Sequence, residues 1–191
     1  MFEWFDEFKA SVEAGIKSGI ESSVLGLAQS FMNGIEDFFK VPEPDGAFEL
    51  IRTFHPSTVQ TISIDGVTIE EDYWKIESYG EKKVLLFEIA EPNVSECLLL
   101  CQAQVKTANL CKPAKLTLSA RNSAGWTSNQ YASAEGTTIW HLCKVPFHFK
   151  KQGFSESLTV SVEFQSGGVF WLKDVEILQA AVKQSSNSYQ K

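Results

Sequence analysis

The sequence lacks the motifs by which most enzymes are recognised. None of its 191 residues forms part of a GxSxG, HExxH, Walker A or GxGxxG pattern. Glu70 and Asp72 would share one face of a strand, but no further acid completes the alternating set of a glycosidase. His141 and Cys143 also share a face, a spacing more typical of core and surface side chains than of a nucleophile and its base. We therefore expect no catalytic residues.

Basic residues and long apolar runs are also scarce. Lys+Arg 17 against Asp+Glu 24 gives a formal net charge of -7, which repels phosphate backbones, so nucleic acid is not expected as a partner. No uncharged apolar run approaches the roughly 20 residues needed to span a bilayer. Residues 1–7 lack the basic and apolar regions of a secretory signal. These absences predict a cytoplasmic protein. A more specific location, at the periphery of a membrane or of a large assembly, is compatible with them.

The cysteines lack the spacing of a metal site. There are four of them, without a CxxC pair and without a His-x-x-x-His pair to complete a zinc site. In the expected cytosolic setting Cys97, Cys101, Cys111 and Cys143 are free thiols, and a buried structural role is favoured. We expect no cofactor.

The most informative feature is a change of period near residue 42. Residues 1–41 carry apolar side chains at helical spacing, whereas residues 48–180 alternate in short runs broken by turn residues. The sequence therefore predicts a helix at 1–41, a linker at 42–47, a β-domain at 48–180 and a disordered polar tail at 181–191.

The predicted helix is amphipathic, with apolar residues at steps that average about 3.67 residues. Its centre, residues 22–35, contains no charge, so we expect another surface to cover it. A protein partner or a second copy of the chain is favoured, with the chain's own β-domain and a lipid interface as alternatives. The stripe predicted to bind this partner consists of Phe5, Phe8, Val12, Ile16, Ile20, Val24, Leu27, Phe31, Ile35 and Phe38.

The β-domain is predicted to be a jelly-roll β-sandwich of about nine antiparallel strands, because no helical segment interrupts it. Asp65-Gly66 is a strong signal for a two-residue hairpin. Alternation at Leu158, Val160 and Val162 indicates a strand with one dry and one wet face. The candidate strands are 48–54, 59–64, 67–78, 83–89, 97–106, 114–121, 137–149, 156–164 and 168–178.

The last four strand runs, within 137–178, resemble the closing strands of galactose-binding-like, carbohydrate-binding-module-type jelly rolls. The resemblance is one of strand pattern and is poorly specific for function. It implies Asp174 as a weak candidate for a calcium ligand, since Lys173 stands where a second acid is common. It also implies a sugar platform in the polar segment 121–136, read as a loop, with the possible ligand-binding residues Asn122, Trp126, Asn129, Gln130 and Tyr131. The favoured alternative for this segment is a mobile loop with one aromatic side chain packed on the sandwich.

Two further tryptophans lie outside this segment. Trp140 and Trp171 fall within strands, so they are expected in the core or on the surface of a sheet, not as sugar platforms.

The main functional interpretation is a non-catalytic binding or scaffold protein, whose jelly-roll module attaches to a partner assembly or to itself through the N-terminal helix. One alternative is a carbohydrate-binding module that uses the 121–136 segment. A cytosolic location weighs against it, because polysaccharides are mostly outside the cell. The other alternative is a peripheral membrane protein with the helix in the lipid interface, although acidic residues outnumber basic ones in the helix.

Overall fold

A computed structural model describes residues 42–89, 95–122, 127–151 and 155–183. Within these ranges eight β-strands form one curled antiparallel sheet. No helix in the described ranges is long and apolar enough to cross a membrane. The strands are β1 (Pro44–Phe54), β2 (Val67–Glu70), β3 (Tyr73–Ser78), β4 (Lys82–Ile89), β5 (Glu96–Asn122), β6 (Thr127–Lys150), β7 (Ser155–Phe164) and β8 (Gly168–Val182).

The sheet has two halves that share its two longest strands. In the front half the order is β2-β3-β8 and then residues 98–108 of β5, with β1 also paired to β8. In the back half residues 114–122 of β5 pair with β7, which pairs with β4. β6 follows β5 through both halves, so a single hairpin of two strands, of 27 and 24 residues, joins them.

The strands bend at a corner between the two halves. Asn109 has a φ of 57° and Gly136 a φ of 66°, and the β5–β6 register shifts on both sides of residue 110. Such bulges bend a strand and raise its twist without ending it. The buried Thr107 hydroxyl holds the corner, since it lies 3.2 Å from the Gly136 carbonyl oxygen and 3.0 Å from Thr138 Oγ1.

The core lies on the inner side of both halves. Alternate residues of β3 are buried and those of β8 nearly so, as expected for strands with one covered face, whereas β5 and β7 also bury residues on their outer side. Phe87 stacks on Phe54 with ring centroids 4.3 Å apart and meets the edge of Trp74 at 4.9 Å. The inner residues of the two halves form one continuous cluster, so the described residues of the domain have a single core.

The structure confirms an all-β antiparallel fold and corrects several strand predictions. Residues 59–64 are not a strand, although the Ile62 and Ser63 amides donate to β4 carbonyls at 3.0 and 2.9 Å. Run 67–78 is a hairpin, because Glu71, with a φ of 51°, turns between β2 and β3. Runs 97–106 and 114–121 are one bent strand, because bulges replace the expected break.

The ends of the domain also differ from the predicted boundaries. β1 begins at Pro44, inside the predicted linker, and β8 ends at Val182, inside the predicted tail. The predicted helix at 1–41, with its whole partner-binding stripe, lies outside the described residues. The division of the chain into helix and β-domain therefore stays a prediction.

Candidate functional site

The outer face of the front half, here called the front face, carries a cluster of aromatic and lysine side chains. On β3 the inward residues Trp74 and Ile76 are fully buried, so Tyr73 and Lys75 point outward. On β8 the inward residues are Phe170 and Leu172, which leaves the side chains between and after them outside. The aromatic–lysine cluster consists of Tyr73, Lys75, Lys106, Trp140, Trp171 and Lys173, all of them partly exposed.

Strand register places Trp171 between two lysines. Trp171 pairs with Lys75 of β3 on one side and with Lys106 of β5 on the other. Residues directly opposite in an antiparallel pair project on the same face, so the three side chains form one row. The Lys106 ammonium lies 4.8 Å from the centroid of the Trp171 ring, a cation–π distance.

A second pair of rings closes the cluster toward β6. The ring of Trp140 lies 5.8 Å from that of Tyr73, with 59° between the ring planes. Three strand spacings separate β3 from β6, about 14 Å in a flat sheet, so the two rings lean toward each other across β8 and β5. The Lys173 ammonium lies 5.0 Å from the Trp140 ring centroid.

Carboxylates on the β2–β3 side neutralise two of the lysines. Lys75 Nζ lies 3.1 Å from Glu77 Oε1 and 3.7 Å from Glu70 Oε1. These contacts, first the hydrogen bond to Glu77, raise the pKa of Lys75. Lys173 Nζ lies 3.5 Å from Asp72 Oδ2.

The Tyr73 hydroxyl is held as a neutral donor at the same side. It donates to Glu70 Oε2 at 3.2 Å. Desolvation and then the hydrogen bond and charge of Glu70 raise the pKa of Tyr73. The phenol therefore stays protonated near neutral pH.

Only part of the front face is open to a ligand. At its other end Leu98, Leu100 and Ala180 stand at outward positions but are only 1%, 3% and 4% exposed. The partly exposed side chains lie around residues 102–108 of β5, next to the corner. A surface with several reachable rings among polar side chains suits a ligand that has both apolar faces and hydroxyl groups.

The structure does not bring the predicted loop residues together as one site. Residues 127–136 belong to β6 in the back half, because their polar side chains occupy an edge strand that needs no second dry face. Asn129 and Tyr131 point outward and Gln130 is on the opposite side, since it pairs with the inward Leu118. Asn122 lies at the end of β5, its side chain outside the description, and Trp126 falls outside the described residues.

Tyr131 is the exposed ring of this segment. It is 50% exposed, and Lys115 Nζ lies 4.1 Å from its centroid. It therefore resembles the lysine–tryptophan pairs of the front face, but on the opposite side of the domain.

The weak calcium candidate stands at an irregular point of β8. Asp174 is exposed with a φ of 51°, next to the shift in the β5–β8 register. Among the described residues no group of three or more His, Cys, Asp or Glu side chains has the arrangement of a metal site. The role of Asp174 seen here is to accommodate the extra residue of a bulge.

All four cysteines are free thiols. Cys97, Cys101 and Cys143 are buried on the inner side of the front half, and Cys111 is exposed at the corner. Burial raises the pKa of Cys97 and of Cys143 to about 11 and that of Cys101 further. The buried thiols are therefore poor nucleophiles.

The main residues of the front face carry only a weak signal in the sequence. Trp140 and Trp171, expected in the core or on the surface of a sheet, both lie on the surface. The local signal was their phase, because Trp171 alternates with the buried Phe170 and Leu172. Trp171, Lys106 and Trp140 come together through the pairing of β8, β5 and β6. A local sequence pattern does not predict this pairing.

No protein-family model matches the chain, and no curated protein matches it. Among solved structures it is similar to the CBM22-1 xylan-binding domain from Paenibacillus barcinonensis Xyn10C, at 16% identity and a TM-score of 0.51, over 72% of this chain and 98% of that one. It is also similar to a Family 16 Carbohydrate Binding Module, at 12% identity and a TM-score of 0.45, over 64% and 89% of the two chains.

A third similar structure is the Family 11 Carbohydrate-Binding Module of cellulosomal cellulase Lic26A-Cel5E of Clostridium thermocellum. It shares 8% identity and a TM-score of 0.38, over 75% of this chain and 95% of that one. At such identities a likeness shows the fold, and of these three structures the xylan-binding domain has a TM-score above 0.5. The predicted resemblance to jelly-roll carbohydrate-binding modules is confirmed at the level of the fold.

These neighbours correct the functional interpretation. The main one, a scaffold protein attached to a partner assembly or to itself through its N-terminal helix, is wrong, because the β-domain has the fold of a xylan-binding domain. No comparison supports the peripheral membrane alternative.

Proposed function

We propose that the β-domain is a non-catalytic carbohydrate-binding module that binds a polysaccharide on its front face. The observation that carries the proposal is the aromatic–lysine cluster, in which two tryptophan rings and a tyrosine ring are partly exposed on one sheet face. Flat rings stack against the apolar faces of sugars much as they do against nucleic-acid bases. The fold, shared with a xylan-binding domain, gives independent support.

The neighbouring acids support binding over catalysis. Glu70 accepts the Tyr73 hydrogen bond and lies near Lys75, Glu77 lies near Lys75, and Asp72 lies near Lys173. Carboxylates held in this way position the lysines and the tyrosine around the rings. A glycosidase would instead need two carboxylates facing each other across the sugar.

A cytosolic location remains a separate proposal, supported by the four free cysteines. The binding assay does not depend on it, because it is performed on the purified chain.

The first test compares rings on the two sides of the domain. A glycan array with the full chain should show saturable binding that Trp171→Ala or Trp140→Ala weakens about 5- to 150-fold, the equivalent of about 1–3 kcal/mol of lost stacking. Tyr131→Ala is the matched control, because it removes a half-exposed ring with a lysine over it from the back half.

Thermal unfolding of each variant checks that the fold is intact. The proposal fails if the wild-type chain binds no glycan, or if both tryptophan variants bind as tightly as wild type. Loss of binding in Tyr131→Ala alone would move the site to the segment that the sequence indicated.

A further inference from the structure

The positive charges of the front face are not compensated equally. Lys75 has Glu77 and Glu70 within 4 Å, and Lys173 has Asp72. Lys106 has no carboxylate within 4.0 Å among the described residues, and its contact there is the Trp171 ring at 4.8 Å. An ammonium over a ring at an exposed site is only weakly stabilised by that contact. Among the three lysines of the aromatic–lysine cluster, Lys106 is therefore the one that remains available to an anion.

The charges also have a direction across Trp171. Around the aromatic–lysine cluster the carboxylates paired with lysines lie on the β2–β3 side, at Glu70, Asp72 and Glu77. A separate pair, Lys150 with Glu96, lies at the far end of the front half. Lys106 lies on the β5 side of the same ring. A sugar stacked on Trp171 thus has a neutralised edge toward β3 and an unneutralised cation toward β5, within a chain whose formal net charge is -7.

Stacking on Trp171 changes the surroundings of Lys106. A sugar ring that covers the indole displaces the ammonium from above it. A neutral sugar offers the displaced Lys106 ammonium only hydroxyl groups. A carboxylate at the rim of the sugar accepts a charge-assisted hydrogen bond from it, which is stronger than a bond to a hydroxyl. The same platform therefore favours an acidic sugar over its neutral counterpart.

We propose that the front face selects a polysaccharide that carries carboxylates, that is, uronic acid residues, with Trp171 stacking the sugar and Lys106 binding its carboxylate. This inference rests on the proposed carbohydrate-binding function. Lys106 acts as a specificity-determining residue and Trp171 as the platform that acidic and neutral sugars share.

The test uses polysaccharide pairs that differ only in charge. Binding of the full chain is measured by calorimetry with polygalacturonate and its fully methyl-esterified form, and with glucuronoxylan and its carboxyl-reduced form. In at least one pair the acidic member should bind about 10-fold more tightly at low salt, with the difference shrinking in 0.3 M NaCl as charges are screened.

Two lysine variants identify the residue responsible. Lys106→Met keeps the length of the side chain and should bring the ratio of the affinities for the acidic and neutral members from about 10 to about 1. Lys115→Met is the matched control, since Lys115 lies 4.1 Å from the Tyr131 ring in the back half, and it should leave both affinities unchanged.

The outcomes separate the two proposals. Equal binding of acidic and neutral members, or an unchanged preference in Lys106→Met, overturns the selection for uronic acids and leaves carbohydrate binding intact. Binding of neutral array glycans with none to either acidic polymer also overturns it. An array without any bound glycan removes the proposed function and this inference together.

Discussion

The two halves of the sheet share β5 and β6, yet their outer faces offer very different chemistry. On the front face β5 contributes Lys106 and β6 contributes Trp140, both partly exposed. On the back face the centre is formed by Thr117, Ser119 and Ser161, which are 1%, 3% and 0% exposed. Their hydroxyls are buried without a hydrogen-bond partner among the described residues.

The comparison shows that the accessibility of polar groups to a ligand matters more for binding than their number. Hydroxyls suit sugars by chemistry, but those of the back face are closed to any ligand in this state. Charges at the edge of the back half are paired with each other, as in Lys83 with Glu163 at 2.7 Å. The front face combines reachable rings with a lysine that no described carboxylate neutralises.

The largest expected effect comes from truncating a buried core residue beneath each of the two faces. Trp74 lies beneath the front face and Leu118 beneath the back face, both fully buried. We expect Trp74→Ala to lower the free energy of unfolding by about 3–5 kcal/mol and Leu118→Ala by about 2–5 kcal/mol, because each leaves a cavity. Urea unfolding measures both changes.

The glycan affinity of the folded protein should then differ between the two core variants. Trp74→Ala should weaken it, because Tyr73 and Lys75 flank Trp74 on β3, and Leu118→Ala should not. A loss of less than 1 kcal/mol in Trp74→Ala would contradict the assignment of this indole to the core.

A smaller effect is expected at the corner between the halves. Gly168 has a φ of 153°, and a Cβ there would lie 2.5 Å from Leu110 Cδ2 and 3.1 Å from the Asn109 carbonyl oxygen. We expect Gly168→Ala to cost about 1–3 kcal/mol through backbone strain and crowding. Differential scanning calorimetry provides the measurement.

Gly80→Ala is the control for the corner, because a Cβ at Gly80 meets nothing within 4 Å. It should be neutral or slightly stabilising, since alanine restricts the unfolded chain. Equal losses of unfolding free energy in Gly168→Ala and Gly80→Ala would show that the corner does not require glycine at residue 168.

The smallest expected effect is the pH-dependent stability contributed by an ion pair at the far end of the front half. Glu96 Oε1 lies 2.7 Å from His148 Nε2 and 3.2 Å from Lys150 Nζ. The hydrogen bond from His148, and then that from Lys150, lower the pKa of Glu96. A lowered carboxyl pKa contributes stability above the unfolded pKa near 4.5, which is lost as the pH falls through the folded value.

Urea unfolding of wild type and Glu96→Gln between pH 7 and pH 3 measures this contribution. Wild type should be the more stable at pH 7 by about 0.5 kcal/mol or less, as for other exposed pairs, and the difference should vanish near pH 3. A difference that grows on acidification would have the wrong sign for this pair.

Local patterns predicted the strands better than the site. Alternation located β4, β7 and β8 to within a few residues, because each points a regular series of apolar side chains into the core. It failed at 127–136, where polar residues on an edge strand look like a loop, and at 107–113, where bulges bend β5 without ending it. Both failures arise from the shared hairpin that joins the halves.

The candidate site depended on pairing that the sequence does not display. Trp171 and Lys106 are neighbours through the antiparallel register of β5 and β8, and Tyr73 meets Trp140 across two intervening strands. A pattern read along the chain shows each ring as an isolated surface residue. Their convergence required the strand order itself.

The pairing of β1 with β8 sets the order in which the domain is completed during translation. Pro44 pairs with Val182, and at about 5–20 residues per second the ribosome needs roughly 7–30 s to make the intervening chain. The long hairpin of β5 and β6 is finished before β8, the strand that carries Trp171 and Lys173. The front face is thus the last part of the domain to form on a newly made chain.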